Sequence, residues 1–322
     1  MLMRSHNSFD TDFQSRIIKL IQGISLLSFL ISGIASAQLT MDRIDPSNRP
    51  DNDNHRRDPV HLIDNIWWVG HSQVGSFLIK TTDGLILFDS TSTIEVNWMV
   101  ENIVKAGFHL SDIKYIINSH PHEEHIGGLA ALQRLLPEAK IITSRATADI
   151  LATGGKSDFR NILDAEGARF FEPVKVDGFI GHQEELTLGG VTLTAHLTPG
   201  HTTGTTTWSI KVNDNGNTYD AVLMGGVSSS GLDRGPLLNN ELYPDIKRDF
   251  DASFAYLKSM NCDIYFEARA ISFKMEEKLA KIERGGNQVS PFVDPKECEN
   301  YIEFYELRYK KQLADEMAAE GR

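Results

Sequence analysis

From residue 61 onward the chain alternates short apolar runs with turn-rich polar stretches. Ile66-Trp67-Trp68-Val69, Ser76-Phe77-Leu78-Ile79 and Leu85-Ile86-Leu87-Phe88 are separated by turn residues that include Thr82-Asp83-Gly84. They predict a meander of strands ending at Asp89. Trp67 and Trp68 read as core filling, with a pocket rim as the alternative. The period then changes. Ile94, Trp98, Val100, Ile103 and Val104 predict a helix over Thr93–Ala106 that stops at Gly107. A strand over 113–118, a helix from Leu129 to Leu136 ended by Pro137, a strand at 140–143 and a short helix at 145–151 follow. Strand and helix in alternation, with short links, predict a βαβ-type layer with functional loops at the carboxyl ends of strands.

The second half repeats the scheme. Residues 153–182 are polar and irregular, and 186–194 read as a hairpin through Gly189-Gly190. Strands are predicted at 206–212 and 219–224, joined by a turn at Asn213-Asp214-Asn215-Gly216. Helix 249–260, strand 263–266, helix 273–284 and a long charged helix over 295–319 complete the chain. No composition break follows residue 60, so residues 60–322 read as one α+β domain of two packed sheets with helices outside.

The first 59 residues read differently. Arg16 and Lys19 precede an apolar run from Leu20 to Ile34, and Ala35-Ser36-Ala37 offers a small-X-small cleavage pattern. Residues 1–37 therefore read as an export signal and 38–59 as a polar, flexible arm. The run is short for a bilayer-spanning helix, which needs about 20 apolar residues. Export makes the compartment oxidising, and the two cysteines, Cys262 and Cys298, then read as one disulfide, with two unrelated buried thiols as the alternative. The net charge of −12, from 32 basic and 44 acidic residues, argues against nucleic acid as a partner. No stable membrane partner is expected, and the mature chain is expected to be monomeric.

One stretch concentrates chemistry. His120-Pro121-His122-Glu123-Glu124-His125-Ile126-Gly127-Gly128 follows the strand at 113–118 and precedes an apolar helix. Imidazole nitrogen and carboxylate oxygen both suit zinc, and a catalytic zinc site keeps one position open for water. A polar loop that happens to be rich in His is the alternative. A serine nucleophile finds no support, since no Gly-X-Ser-X-Gly is present.

His120–X–His122–X–Glu124–His125, with Gly127-Gly128, resembles the signature of the metallo-beta-lactamase superfamily. Leu197-Thr198-Pro199-Gly200-His201-Thr202-Thr203-Gly204 resembles its second ligand segment. The Pro-Gly-His-Thr run ahead of Thr-Thr-Trp, the Tyr243-Pro244-Asp245 segment and the late Cys262–Cys298 pair are most similar to the third subclass of zinc beta-lactamases. The resemblance spans roughly residues 60–315. It implies an αββα sandwich, with a first zinc on His120, His122 and His201. It implies a second zinc on positions matched by Glu124, His125 and Arg269.

Two of those last three positions depart from the family pattern. Glu124 stands where the pattern has Asp, which moves the carboxylate outward by one methylene. Arg269 stands where it has its last His, and a guanidinium has no acceptor with which to bind zinc. No His follows His201 in the chain. Arg269 is expected to pair with Glu124 where the second zinc would be, with a solvent-facing Arg269 as the alternative. Glu267 is a further candidate oxygen ligand.

The resemblance thus implies hydrolysis of beta-lactams by a metal-bound hydroxide, with one zinc expected and two conceivable. Glu124 would orient water or act as base, and Arg269 would take up developing charge. Ser228 and Ser230 are candidates for binding the substrate carboxylate. The alternatives are another hydrolase of this fold, acting on lactones, thioesters or phosphoesters, and a metal-poor relative without catalysis.

Overall fold

The computed structural model describes residues 56–229, 235–285 and 289–321. The expected export signal, most of the expected arm, and Ser230 lie outside the described residues. Arg56–Pro59, the end of that arm, is tied to the body. Asn102 donates to the Arg57 carbonyl at 3.0 Å, Arg57 pairs with Glu276, and the Arg56 guanidinium sits 4.9 Å over the Trp98 ring.

The first half builds a mixed seven-stranded sheet. Its strands are β1 (Val60–Ile63), β2 (Ile66–Trp68), β3 (Phe77–Lys80), β4 (Leu85–Phe88), β5 (Ile113–Ile117), β6 (Lys140–Thr143) and β7 (Gly178–Phe179), side by side in that order. Pairing is antiparallel from β1 to β4 and parallel from β4 to β7. Helix α1 (Val96–Lys105) makes the crossover from β4 to β5. The short α2 (Glu123–Ile126), α3 (Leu129–Leu135), α4 (Arg145–Ala152) and α5 (Phe159–Leu163) follow. The second half builds a mixed five-stranded sheet ordered β12-β11-β10-β9-β8. Its strands are β8 (Glu185–Leu188), β9 (Val191–Leu197), β10 (Thr206–Asp214), β11 (Asn217–Met224) and β12 (Ile264–Glu267). Helices α6 (Ile246–Leu257), α7 (Met275–Arg284) and α8 (Pro295–Ala319) complete it, so two mixed sheets are flanked by helices.

Why the apolar runs read as continuous follows from the two-residue period of a strand. Phe77 and Ile79 of β3, with Ile86 and Phe88 of β4, join the main core cluster with Trp208, Ile210 and Val212 of β10. Leu78, Leu85 and Leu87 point to the opposite face and are buried as well. Both faces of the first sheet are therefore covered. Trp68 is wholly buried and donates to the His71 carbonyl at 3.1 Å, while Trp67 packs edge-on to Phe108. Both Trp are structural.

Helix limits deviate where side chains cap them. The predicted start at Thr93 moves to Val96, because Ser92 and Glu95 bond each other across a turn, with Ser92 Oγ to Glu95 Oε2 at 2.7 Å. α6 begins three residues earlier than its apolar rhythm suggested. It buries Ile246, Phe250, Phe254 and Leu257 along one stripe. Tyr309 of α8 lies against Phe250 and Phe254, and the Cys262–Cys298 disulfide ties the start of α8 to the segment before β12. Two helices were not predicted, α2 and α5. Both are short and placed against the His cluster.

Candidate metal centre

β5 delivers Asn118, Ser119 and His120 at its carboxyl end. His122 then adopts an extended conformation as the N-cap of α2, and its carbonyl accepts from His125 at 2.9 Å and Ile126 at 3.1 Å. One turn of helix thereby sets Glu124 and His125 beside the two preceding imidazoles. The tight entry needs glycine. A Cβ at Gly128 would lie 2.4 Å from the Ser90 carbonyl oxygen, and one at Gly127 would lie 2.7 Å from the Thr93 nitrogen. His201 comes from the loop between β9 and β10. Gly226, just after β11, lies against it, and a Cβ there would fall 2.2 Å from the His201 ring.

The three rings converge. Centroids are 4.7 Å apart for His120–His122, 4.5 Å for His120–His201 and 4.9 Å for His122–His201. One ligand atom from each lies within 4.8 Å of the others, and all three residues are buried. A metal-ligating His is normally held through its other ring nitrogen. His201 Nδ1 donates to the Ser228 carbonyl at 2.9 Å, and His120 Nδ1 is 3.1 Å from Ser119 Oγ. His122 Nε2 faces Asp158 Oδ2 at 4.0 Å. Three buried imidazoles, two of them hydrogen-bonded through the second nitrogen and the third facing a buried carboxylate, form a donor set that fits zinc.

Asp89 is the residue that sequence reasoning passed over. It sits at the end of β4 with a φ of 61°, fully buried. Its Oδ1 accepts from the Ser119 backbone at 2.7 Å. Its Oδ2 accepts from Ser119 Oγ at 2.7 Å and faces His125 Nδ1 at 3.1 Å. Burial works against a charged His125, but the hydrogen bond and charge of Asp89, with Glu124, push its pKa up. The available signal was positional: a lone Asp at the carboxyl end of a strand beside the strand that carries the His loop.

Glu124 and Arg269 do come together. Arg269 Nη2 is 3.5 Å from Glu124 Oε1, and a second guanidinium, Arg160 Nη1, is 3.6 Å from that same oxygen. Glu124 Oε2 is buried with no hydrogen-bond partner among the described residues. Burial raises the Glu124 pKa, but the charges of His125, Arg160 and Arg269 outweigh it and hold the carboxyl below its ordinary value. Glu267 at the end of β12 is buried, accepts from the Arg269 backbone at 3.1 Å and lines the same cleft; burial pushes its pKa up. Tyr301 and Tyr305 of α8 also line the cleft, which no sequence signal indicated.

Among the described residues, only His120, His122 and His201 gather ligand atoms closely enough for one ion. Glu124, His125 and Glu267 surround the neighbouring space without converging, and Arg269 brings charge there in place of a donor pair. The side chains as they stand do not fit a second metal. Ser228 lines the cleft and orients His201 through its carbonyl. Other described histidines make contacts of their own. His196 bonds Tyr256 and Ser209, each at 2.8 Å, His182 accepts from the Leu197 backbone, and His71 faces Glu95 at 3.0 Å.

Residues 69–214 match the family model of the metallo-beta-lactamase superfamily. The native FEZ-1 metallo-beta-lactamase from Legionella gormanii is 35% identical over 81% of this chain and 97% of its own, with a TM-score of 0.77. BJP-1, a subclass B3 metallo-beta-lactamase of Bradyrhizobium japonicum, is 31% identical over 82% of this chain and 97% of its own, at a TM-score of 0.75. GOB-18, a metallo-beta-lactamase from Elizabethkingia meningoseptica, is 27% identical over 84% of this chain and 97% of its own, at 0.73.

Proposed function

The chain belongs to the metallo-beta-lactamase superfamily, and on that premise we propose that it hydrolyses the amide bond of beta-lactams with a single zinc ion on His120, His122 and His201. The observation that carries the proposal is the convergence of those three buried imidazoles, with His201 and His120 hydrogen-bonded through the other nitrogen and His122 facing the Asp158 carboxylate. What zinc supplies when bound is acidification of water, to a pKa of about 7, and polarisation of a carbonyl.

The chain's own groups do the rest. Glu124 is ionised at neutral pH and presents Oε2, buried and without a partner, as the acceptor for a proton from water. Arg269 is half exposed at the cleft and faces the charge that develops on the ring nitrogen as the amide breaks. Ser228, with Ser230 beside it in sequence, offers hydroxyls to the substrate carboxylate. Asp89 fixes Ser119 and His125, and so holds the floor of the site.

Location follows the same reading: an exported, periplasmic enzyme. Among the described residues no helix is long and apolar enough to cross a membrane. The Cys262–Cys298 bond belongs to an oxidising compartment.

The test pairs substrates with metal. A penicillin, a cephalosporin and a carbapenem are assayed beside a lactone and a phosphodiester, with and without added zinc, on wild type and His201→Ala. Beta-lactam turnover that depends on zinc is expected. His201→Ala is expected to lower it by about a thousandfold or more, since base and charge-stabilising effects of about 10²–10⁴ each depend on the metal. Zinc-dependent turnover confined to the lactone or the phosphodiester would replace the substrate assignment and leave the metal site standing.

A further inference from the structure

We propose that Arg160 of α5 is a positioning residue that, with Arg269, clamps Glu124 and fills the second cation position of the site with protein charge. The inference rests on the single-zinc reading above. Arg160 Nη1 and Arg269 Nη2 approach the same oxygen, Glu124 Oε1, at 3.6 and 3.5 Å. Together they carry the formal charge of the divalent ion whose ligands do not gather there. With Oε1 facing two guanidiniums, Oε2, buried and without a hydrogen-bond partner among the described residues, is left as the carboxylate's unpaired acceptor. Its direction is fixed by the clamp.

Arg160 is the stronger arm of the pair. Its side chain is 20% exposed against 48% for Arg269, so water and salt screen its charge less. Its backbone is also pre-set. Asp158 Oδ1 accepts from the Arg160 nitrogen at 2.8 Å, while the other oxygen of that buried carboxylate faces His122. Phe159 packs edge-on to Tyr243 at 5.3 Å, and Asn161 bonds the Gly155 and Arg169 carbonyls at 2.9 and 3.2 Å. α5 and its N-cap Asp158 thus bring a carboxylate to the first half of the site and a guanidinium to the second. Arg269 is held independently, since the chain around it bridges to Val74 and Gln73. A clamp built from two anchored arms costs little reorganisation when substrate enters.

The experiment uses the purified chain as wild type, Arg160→Ala, Arg160→Lys, Arg269→Ala and the double alanine variant. Zinc per chain is counted by elemental analysis at saturating zinc, and kcat and KM are measured separately on a chromogenic cephalosporin. Wild type should hold one zinc. Arg160→Ala should lose about tenfold to a hundredfold in kcat, the usual cost of removing an outer partner of a metal site, with KM nearly unchanged. Arg160→Lys should recover most of that loss, because it restores the charge. The double variant should take up a second zinc, since Glu124 is then released from both guanidiniums and the cation position beside His125 and Glu267 is no longer filled.

An unchanged kcat in Arg160→Ala together with one zinc in the double variant would overturn the clamp alone. Two zinc ions on wild type would overturn the single-zinc reading beneath it. A wild type without beta-lactam turnover would fail the substrate assignment, and the zinc counts would still decide the clamp. Retention of the three-His zinc in each variant reports that it has folded.

Discussion

The two halves of the site are built from different materials. At the three-His position, imidazole donors converge, and their far sides meet a backbone carbonyl, a hydroxyl and a carboxylate. At the neighbouring position, Glu124 faces two guanidiniums and His125 faces Asp89, so the charges are already answered by other side chains. The first half leaves lone pairs pointing at a common centre, where a cation is needed to complete it. The second has its cation in the sequence. A site therefore keeps or gives up a metal according to whether the protein supplies the opposing charge itself.

Asp89 touches both halves and is where the comparison breaks most sharply. Asp89→Asn keeps the shape, and Asn tolerates the positive φ found there. It removes the charge that holds Ser119 and His125. Zinc affinity and kcat are both expected to fall by about tenfold to a hundredfold. Titration with a zinc chelator and steady-state kinetics check this. A variant with native affinity would mean that the two halves are not joined through Asp89.

The disulfide gives the contrasting case, because Cys262–Cys298 braces α8 away from both sets of ligands. Cys262→Ser/Cys298→Ser is expected to lose about 3–4 kcal/mol of stability, from the entropy of closing a loop of this separation. At a temperature where it stays folded, it should keep its zinc and its kcat. Denaturant titration beside a zinc count measures the two effects separately. Loss of zinc from the folded variant would mean that α8, through Tyr301 and Tyr305, supports the centre more directly than its place at the cleft requires.

The smallest effect is expected at His196, remote from both halves in its bonding. Burial, with the charge of His182, lowers its pKa to about 4. The unfolded chain takes up that proton near pH 6.5 and the folded one only near 4. The contribution to stability is therefore complete above about pH 6.5 and lost as pH falls towards 4. His196→Gln should flatten the melting temperature across that window while leaving zinc content at pH 7 unchanged. Differential scanning calorimetry between pH 4 and 7 checks it.

The frame was legible because burial writes itself into apolar spacing. Phe77, Ile79, Ile86 and Phe88 announced strands, and Phe250, Phe254 and Leu257 a helix, with errors of a few residues at the ends, as where Ser92 and Glu95 moved one. The three zinc-site histidines were legible because their spacing matches a known pattern. Asp89, Asp158 and Arg160 were not. Each acts through contacts between segments distant in sequence, which apolar spacing does not record. α2 and α5 were missed because a helix of four or five residues is too short to show a helical period. Arg269 was visible as a departure, yet its partner on the far side of Glu124 needed the fold.

The most direct measurement is the number of zinc ions the wild-type chain retains at saturating zinc, counted beside His201→Ala. The account predicts one ion on wild type and none held tightly by the variant. Two ions on wild type, or one retained after His201 is removed, would contradict it.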